Sequence, residues 1–181
     1  MRTLRLAGLT LAGLVTGTLV VAAVLPSQYR VSRSIVIATD PATMTSRLAD
    51  LSVRESWVPW KQQEPNALFV AAGQPGTPGS TFTWKGTQIG EGTVTLVRVT
   101  GSREVETRVE FRKPMAMVAR DRFLLTPDGA GTRVEWRNEG TLAYPVGRLF
   151  GLVIDKVVGS DYEKGLASLK LLTEREAVAV R

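Results

Sequence analysis

The stretch VIDKVVGSDYEKGLASLK, residues 153–170, has the periodicity of an amphipathic helix, with apolar side chains at every third or fourth position. The apolar face comprises Ile154, Val157, Val158, Tyr162, Leu169 and, just beyond the stretch, Leu172. Asp161 and Gly165 fall within the same face. A buried carboxylate needs a partner, and glycine costs about 1 kcal/mol against alanine in a helix interior. This face is therefore expected to cover more than a plain apolar core.

The residues before this helix predict an antiparallel sheet. Alternating polar and apolar residues predict a first strand at 29–38, followed by a short helix that Asp40 caps and Pro41 opens. A second short helix or turn follows at SWVPW, residues 56–60. Six further strands, separated by turns, lead to a long helix over about residues 146–174. Seven strands in successive hairpins with one long amphipathic helix to cover them make an α+β fold.

Alternation also predicts which side chains face the interior. In residues 104–111 the apolar positions alternate with charged ones, so one face of this strand is expected to be solvated. Met117, Asp121 and Phe123 share one face of the next strand. An aspartate at that position indicates either an interior carboxylate or a register that a β-bulge shifts by one residue.

The composition narrows the possible chemistry. The 181 residues include no cysteine and no histidine, which excludes disulfides, thiolate chemistry, a histidine base and the commonest zinc ligands. Catalysis would have to rest on carboxylates, Lys, Tyr, Arg or bound water. The net charge of +6 is spread along the chain without a basic run, so we do not expect nucleic-acid binding. We predict no cofactor and no metal.

The N-terminal residues predict a membrane anchor. Residues 6–29 carry no charge, Arg2 and Arg5 precede them, and Pro26 interrupts the apolar run. About 20 apolar residues at ~1.5 Å each would cross a hydrocarbon core of ~30 Å. The sequence thus predicts a single-pass helix through residues 6–25, with a short cytoplasmic N-terminus and the domain outside the cytoplasm. A cleaved signal peptide is the alternative. The predicted segments are an anchor at 1–27, a folded domain at 28–175 and a tail at 176–181.

The order of these elements resembles the SRPBCC superfamily of START-like, helix-grip proteins, and most of all its polyketide cyclase/dehydrase-like and lipid-transport branch. The matching stretches are VSRSIVIATDPATMTSRLADL, SWVPW, WKGTQIGEG, FRKPM, GTRVEW and IDKVVGSDYEKGL, which span most of residues 31–172. The resemblance implies a curved sheet that grips the long helix, with a deep hydrophobic cavity between them. It implies a lipid, sterol, polyketide or quinone-like ligand, and it carries no universal catalytic motif. We therefore assign no catalytic residue.

These observations lead to three hypotheses for function. The first is membrane-tethered binding of a hydrophobic small molecule, such as a lipid, polyketide or quinone, in a cavity between the sheet and the C-terminal helix. The second is a cyclase or dehydratase acting in the same cavity with a desolvated aspartate as base, although the lack of histidine, cysteine and a recognisable motif weighs against it. The third is a protein-interaction module. The predicted cavity lining comprises Phe82, Trp84, Val109, Phe111, Met117, Asp121, Phe123, Trp136, Ile154, Val158, Asp161, Tyr162 and Gly165.

Two features of the long helix have more than one explanation from sequence alone. Gly147, Gly151 and Gly165 lie near the centre of its apolar face. They indicate either a close approach of helix to sheet or room for a ligand. Asp161 would need an arginine, the indole N–H of a nearby tryptophan, or a ligand as its partner.

Overall fold

The computed structural model describes residues 2–179, with the side chains of residues 9–177. In chain order the elements are α1 (Arg2–Val24), β1 (Gln28–Ile37), α2 (Pro41–Ala49), a 3₁₀ helix (Leu51–Ser56), α3 (Trp60–Gln63), β2 (Leu68–Ala72), β3 (Thr81–Lys85), β4 (Glu91–Thr100), β5 (Glu104–Lys113), β6 (Met117–Asp128), β7 (Gly131–Thr141) and α4 (Val146–Ala179). The predicted order of one strand, short helices, six strands and one long helix is confirmed.

The seven strands form one antiparallel sheet in the order β1-β7-β6-β5-β4-β3-β2. Each strand after β1 pairs with its neighbour in the chain, and β7 returns to pair with β1, which is the result of successive hairpins. The β4–β5 register shifts after Glu91 and again after Leu96. Such bulges bend a strand and increase its twist, so they help the sheet to curve around α4.

The short helices after β1 begin where the sequence predicts. Asp40 accepts hydrogen bonds from the backbone N–H groups of Ala42 and Thr43, both at 3.0 Å, and Pro41 occupies the first helical position. These contacts satisfy donors that a helix N-terminus otherwise leaves free. The short helices contribute Met44, Leu48 and Leu51 to the hydrophobic core, and Trp57 joins them from the turn after the 3₁₀ helix.

Most of the buried apolar side chains at 9–177 form two clusters. The larger one joins the inner face of the sheet to the short helices and to the C-terminal half of α4, where Leu166 and Leu169 are buried. The smaller one comprises Val31, Leu142 and Ile154. Val158 of α4 packs against both clusters. The helix thus bridges two apolar regions that lie next to each other under one sheet.

The prediction of a transmembrane helix at the N-terminus is wrong. Among the helices in residues 2–179, none is both long and apolar enough to cross a membrane. The predicted single-pass localisation and the membrane contact through residues 6–25 are not supported either. The structure places the end of α1 against α4, where Arg148 donates to the carbonyl of Ala23 at 2.9 Å.

Candidate functional site

A cluster of polar side chains lies between the sheet and α4. Asp121 of β6 is only 2% exposed. Its Oδ1 accepts hydrogen bonds from Nδ2 of Asn138 at 2.5 Å and from the hydroxyl of Tyr162 at 2.9 Å. Its Oδ2 lies 3.5 Å from Nη2 of Arg54, which is 1% exposed. Four separate elements, β6, β7, α4 and the 3₁₀ helix, therefore meet at one buried carboxylate.

Strand register brings the first two members of this cluster together. Asp121 pairs with Asn138 across β6 and β7, and Phe123 pairs with Trp136 two residues away. Because side chains alternate between the faces of a strand, both pairs lie on the inner face. The prediction that Asp121 faces the interior is thus consistent with the structure. The described register shifts lie in the β4–β5 pair, not at β6.

Arg54 reaches the interior from the 3₁₀ helix. With three residues per turn, Leu51 and Arg54 lie on the same side of this helix, and both are buried. The Arg54 guanidinium carbon lies 5.2 Å, 5.8 Å and 5.5 Å from the ring centres of Trp57, Phe123 and Trp136. Aromatic faces at this distance attract a cation, and the attraction is stronger where water is excluded. The guanidinium is therefore held by three rings and one carboxylate.

The cluster has unused hydrogen-bond donors. Nε, Nη1 and Nη2 of Arg54 make no hydrogen bond with any residue that the structure describes, and the same is true of the Trp57 indole N–H. Buried donors are usually satisfied, so these groups are available to an oxygen acceptor on a bound molecule. The cluster thus places donors without an acceptor inside an otherwise apolar interior.

Burial controls the ionisation of these groups. Burial raises the pKa of Asp121, while Arg54 and the hydrogen bonds from Asn138 and Tyr162 lower it in part. Burial also lowers the pKa of the Arg54 guanidinium, which the charge of Asp121 opposes. The pKa of Tyr162 lies well above its usual value because its hydroxyl is buried and lies beside Asp121. Tyr162 therefore remains a hydrogen-bond donor at neutral pH.

Aromatic rings pack tightly around the cluster. Trp136 stacks on Tyr162 with ring centres 3.7 Å apart and meets Trp57 edge to face at 5.4 Å. A Cβ atom added at Gly165 would lie 3.1 Å from the ring of Trp136 and 3.5 Å from Pro59. The space beside this glycine is filled by rings, which favours the close-approach explanation of the two that the sequence allows.

Most of the predicted lining residues lie in this interior, in different places. The side chains of the main core include Phe82, Trp84, Val109, Phe123, Trp136 and Tyr162. Phe111 and Val158 are half-buried against it, and Ile154 belongs to the smaller cluster. Met117 is half-buried at the start of β6. Asp161 lies outside the polar cluster, half-buried, and accepts a hydrogen bond from Nε2 of Gln63 at 3.0 Å.

Two members of the cluster, Asn138 and Arg54, were not predicted from the sequence as site residues. Asn138 alternates with Trp136 in the last strand, which places it on the inner face but gives no reason to select it. Arg54 lies three residues after Leu51 and three before Trp57, both of them buried. This three-residue spacing is the signal that could have revealed Arg54, because it puts an arginine on the apolar side of a 3₁₀ helix.

A second carboxylate fixes the loop beside Trp84. Glu64 accepts hydrogen bonds from the backbone N–H groups of Thr87 at 2.8 Å, Gln88 at 2.9 Å and Ile89 at 3.2 Å. These bonds, led by that from Thr87, lower the pKa of Glu64 to about 2. The indole of Trp84 in turn donates to the carbonyl of Ile89 at 3.2 Å. Glu64 therefore holds the β3–β4 loop against the end of α3.

The fold and the buried cluster define the class of protein: a seven-stranded sheet and a long C-terminal helix that enclose an apolar interior with a polar centre. The family model described as "Polyketide cyclase / dehydrase and lipid transport" matches residues 28–174, and the chain belongs to this family. Membership supports either hydrophobic-ligand binding or cyclase-type function. No curated protein matches the sequence.

Solved structures share this fold at low sequence identity. Protein Ms6760 from Mycobacterium smegmatis aligns with a TM-score of 0.58 and 16% identity over 81% of this chain and 92% of its own. The di-domain ARO/CYC protein StfQ from the steffimycin biosynthetic pathway aligns with a TM-score of 0.59 and 12% identity, over 83% of this chain and 52% of its own. The Aha1 dimer from Colwellia psychrerythraea gives a TM-score of 0.53 at 16% identity, over 78% of this chain and 93% of its own. At these identities the likeness concerns the fold alone.

Proposed function

We propose that this protein binds a hydrophobic small molecule between the sheet and α4, with the polar group of that molecule at the Arg54–Asp121 pair. The observation that carries the proposal is the buried guanidinium, whose nitrogen atoms make no hydrogen bond within the described chain. Ligand sites in proteins are mostly apolar and contain a few polar groups that fix orientation, which is the composition of this interior.

The apolar surroundings of the cluster would suit a ligand with an extended apolar part. Rings of Trp57, Phe123 and Trp136 surround the Arg54 guanidinium, and Val158 packs against both the larger apolar cluster and the smaller one around Ile154. A hydrocarbon or fused-ring skeleton would gain from removal of its apolar surface from water, at roughly 25 cal/mol per Å². Lipids, polyketides and quinones all combine such a skeleton with oxygen atoms. The description of the matching family names polyketides and lipids.

Fluorescence quenching tests this proposal through two tryptophans on one short segment. The probe is a long-chain methyl ketone with bromine atoms midway along its chain, because bromine quenches indole fluorescence on contact. Trp57 contacts the cluster, whereas Trp60, three residues later, is half-buried and stacks on Trp84 with ring centres 5.2 Å apart. We expect saturable quenching with one probe bound per chain. Trp57→Phe should reduce the extent of quenching, whereas Trp60→Phe should largely preserve it. Absence of saturable quenching in the wild type would refute binding.

A cyclase or dehydratase is the second candidate, and the environment of Asp121 is the reason to retain it. A carboxylate with a raised pKa beside a tyrosine hydroxyl can exchange protons with a substrate held nearby. Oδ1 already accepts two hydrogen bonds, so Oδ2 would be the basic atom. If this function holds, Asp121→Asn should abolish cyclisation of a poly-β-ketone while the probe still binds. If the wild type binds the poly-β-ketone without converting it, the enzymatic function is rejected and the binding function is retained.

A further inference from the structure

The interior polar cluster has balanced charge. Among the described residues the buried charged side chains are Arg54, Glu106 and Asp121. Glu106 belongs to the other face of the sheet, where Arg98 and Arg120 pair with it at 2.8 Å and 3.1 Å. Arg54 and Asp121 therefore form one buried cation and one buried anion, 3.5 Å apart. A ligand that binds beside them meets an environment without net charge.

The two members of this pair differ in their hydrogen bonds. Oδ1 of Asp121 already accepts from Asn138 and Tyr162, and Oδ2 faces Arg54. The guanidinium and the indole N–H of Trp57 remain as donors without a hydrogen-bond acceptor among the described residues. The cluster thus offers hydrogen-bond donors but no uncompensated positive charge.

We propose that the site selects a ligand with a neutral oxygen acceptor, such as a ketone, quinone or ester carbonyl, and that Asp121 acts as a specificity residue that excludes ionised carboxylic acids. This inference rests on the proposed binding function. A carbonyl oxygen accepts hydrogen bonds from Arg54 and leaves the buried charge unchanged. An ionised acid would add a second negative charge next to Asp121, and a buried charge without its own partner is strongly unfavourable.

A competition experiment with matched ligands tests the selectivity. Full-length protein carrying the brominated ketone probe is titrated at pH 8 with an unbrominated methyl ketone and with the carboxylic acid of the same chain length. We expect the ketone to displace the probe at a concentration at least about tenfold lower than the acid, which corresponds to about 1.4 kcal/mol.

Substitution at Asp121 provides the decisive comparison. Asp121→Asn keeps the shape and leaves Arg54 as an uncompensated cation, so the preference should shift towards the acid by about tenfold or more. The double variant Arg54→Met/Asp121→Asn carries no charge in the interior cluster, so neither charge is left unpaired, and its ketone-to-acid ratio should fall between those of the wild type and Asp121→Asn. Glu106→Gln is the matched control because it removes a buried carboxylate from the other face of the sheet, and it should leave the ratio unchanged.

Each result has a distinct meaning. A wild-type ketone preference that Asp121→Asn shifts towards the acid, with the control unaffected, supports the assignment. Equal displacement by ketone and acid in the wild type, or a ratio that neither variant changes, would overturn the role of Asp121 while leaving ligand binding intact. A probe that fails to bind the wild type would overturn the proposed function and, with it, this inference.

Discussion

The hydroxyl of Tyr162 on α4 donates a hydrogen bond to Oδ1 of Asp121 on β6 at 2.9 Å, so helix and sheet are joined by a polar contact inside the core. Both groups are buried, and the pKa of each is raised mainly by that burial. A bond of this kind is worth more than one at the surface because water cannot replace it. Its removal should therefore be measurable in the stability of the protein.

Tyr162→Phe removes only the hydroxyl and keeps the ring that stacks on Trp136. We expect a loss of about 1–3 kcal/mol in the free energy of unfolding, since the buried carboxylate loses a donor. The matched control is Tyr144→Phe, because Tyr144 is exposed and its hydroxyl donates to the carbonyl of Leu19 at 3.1 Å. The control should stay within about 0.5 kcal/mol of the wild type. Urea unfolding curves decide between these values, and equal effects at the two positions would contradict an important interior bond.

Gly165→Leu tests why a glycine occupies the buried face of α4. A Cβ atom would already lie 3.1 Å from Trp136, so the larger side chain should overpack the core and destabilise it by about 1–3 kcal/mol or more. Ala167→Leu, at an exposed position on the same helix, is the control and should change stability by less than about 0.5 kcal/mol. If Gly165→Leu instead keeps a normal melting temperature and blocks the ketone probe, the glycine provides room for the ligand.

The lowered pKa of Glu64 leads us to expect that the stability of the protein depends on pH. Its pKa falls from 4.5 to about 2 on folding because backbone N–H groups of the β3–β4 loop bind the carboxylate. The stabilisation is fully present above pH 4.5 and is lost progressively as the pH falls towards 2. The difference in melting temperature between the wild type and Glu64→Gln should therefore be largest above pH 4.5 and shrink below it.

Glu55→Gln serves as the control for this measurement. Glu55 pairs with Lys61 at 2.8 Å, and both side chains are partly exposed, so its loss should have a small effect on stability. Circular dichroism melts from pH 6 to pH 2.5 would give both differences. A Glu64→Gln difference that stays constant over this range would show that the loop contacts do not depend on the charge of the carboxylate.

We expect residues 27–181 to fold without α1. The family match begins at residue 28, and the described polar contacts of α1 with α4 and the preceding loop come from Tyr144 and Arg148. Ser27 should be kept because its carbonyl accepts a hydrogen bond from the backbone N–H of Leu142 at 2.8 Å. The truncated chain should be monodisperse and melt cooperatively. Aggregation without a cooperative transition would contradict an independent domain.

The sequence predicts the fold better than the site because strand alternation is a local property. Seven predicted strands and one amphipathic helix leave little choice of architecture, and the strands and helices follow one another in the predicted order. Asp121 and Tyr162 could be selected because a polar group on an apolar face is conspicuous. Arg54 lies in a short 3₁₀ helix, and its burial depends on rings contributed by β6 and β7. The three-residue spacing from Leu51 to Arg54 and Trp57 indicates the buried side of this helix, but it does not show which rings surround the guanidinium.

The helical wheel predicts a broader buried face for α4 than the structure shows. Asp161 and Val157 fall within the apolar stripe of the sequence, yet Asp161 pairs with Gln63 and Val157 is 50% exposed. One edge of α4 faces Arg33 of β1, which pairs with Asp155 and Glu163. The width of the buried face is therefore set by how α4 lies on the sheet. This tertiary arrangement is absent from the periodicity of the helix.

Native mass spectrometry of the purified chain, before and after incubation with the long-chain methyl ketone, tests ligand binding most directly. We predict a complex with one small molecule per chain, either as purified or after incubation. A complex seen as purified should yield, on extraction, a hydrophobic compound with a neutral oxygen acceptor. A chain that shows only its own mass under both conditions, with the fold intact by circular dichroism, would contradict the proposal that the interior between the sheet and α4 is a ligand site.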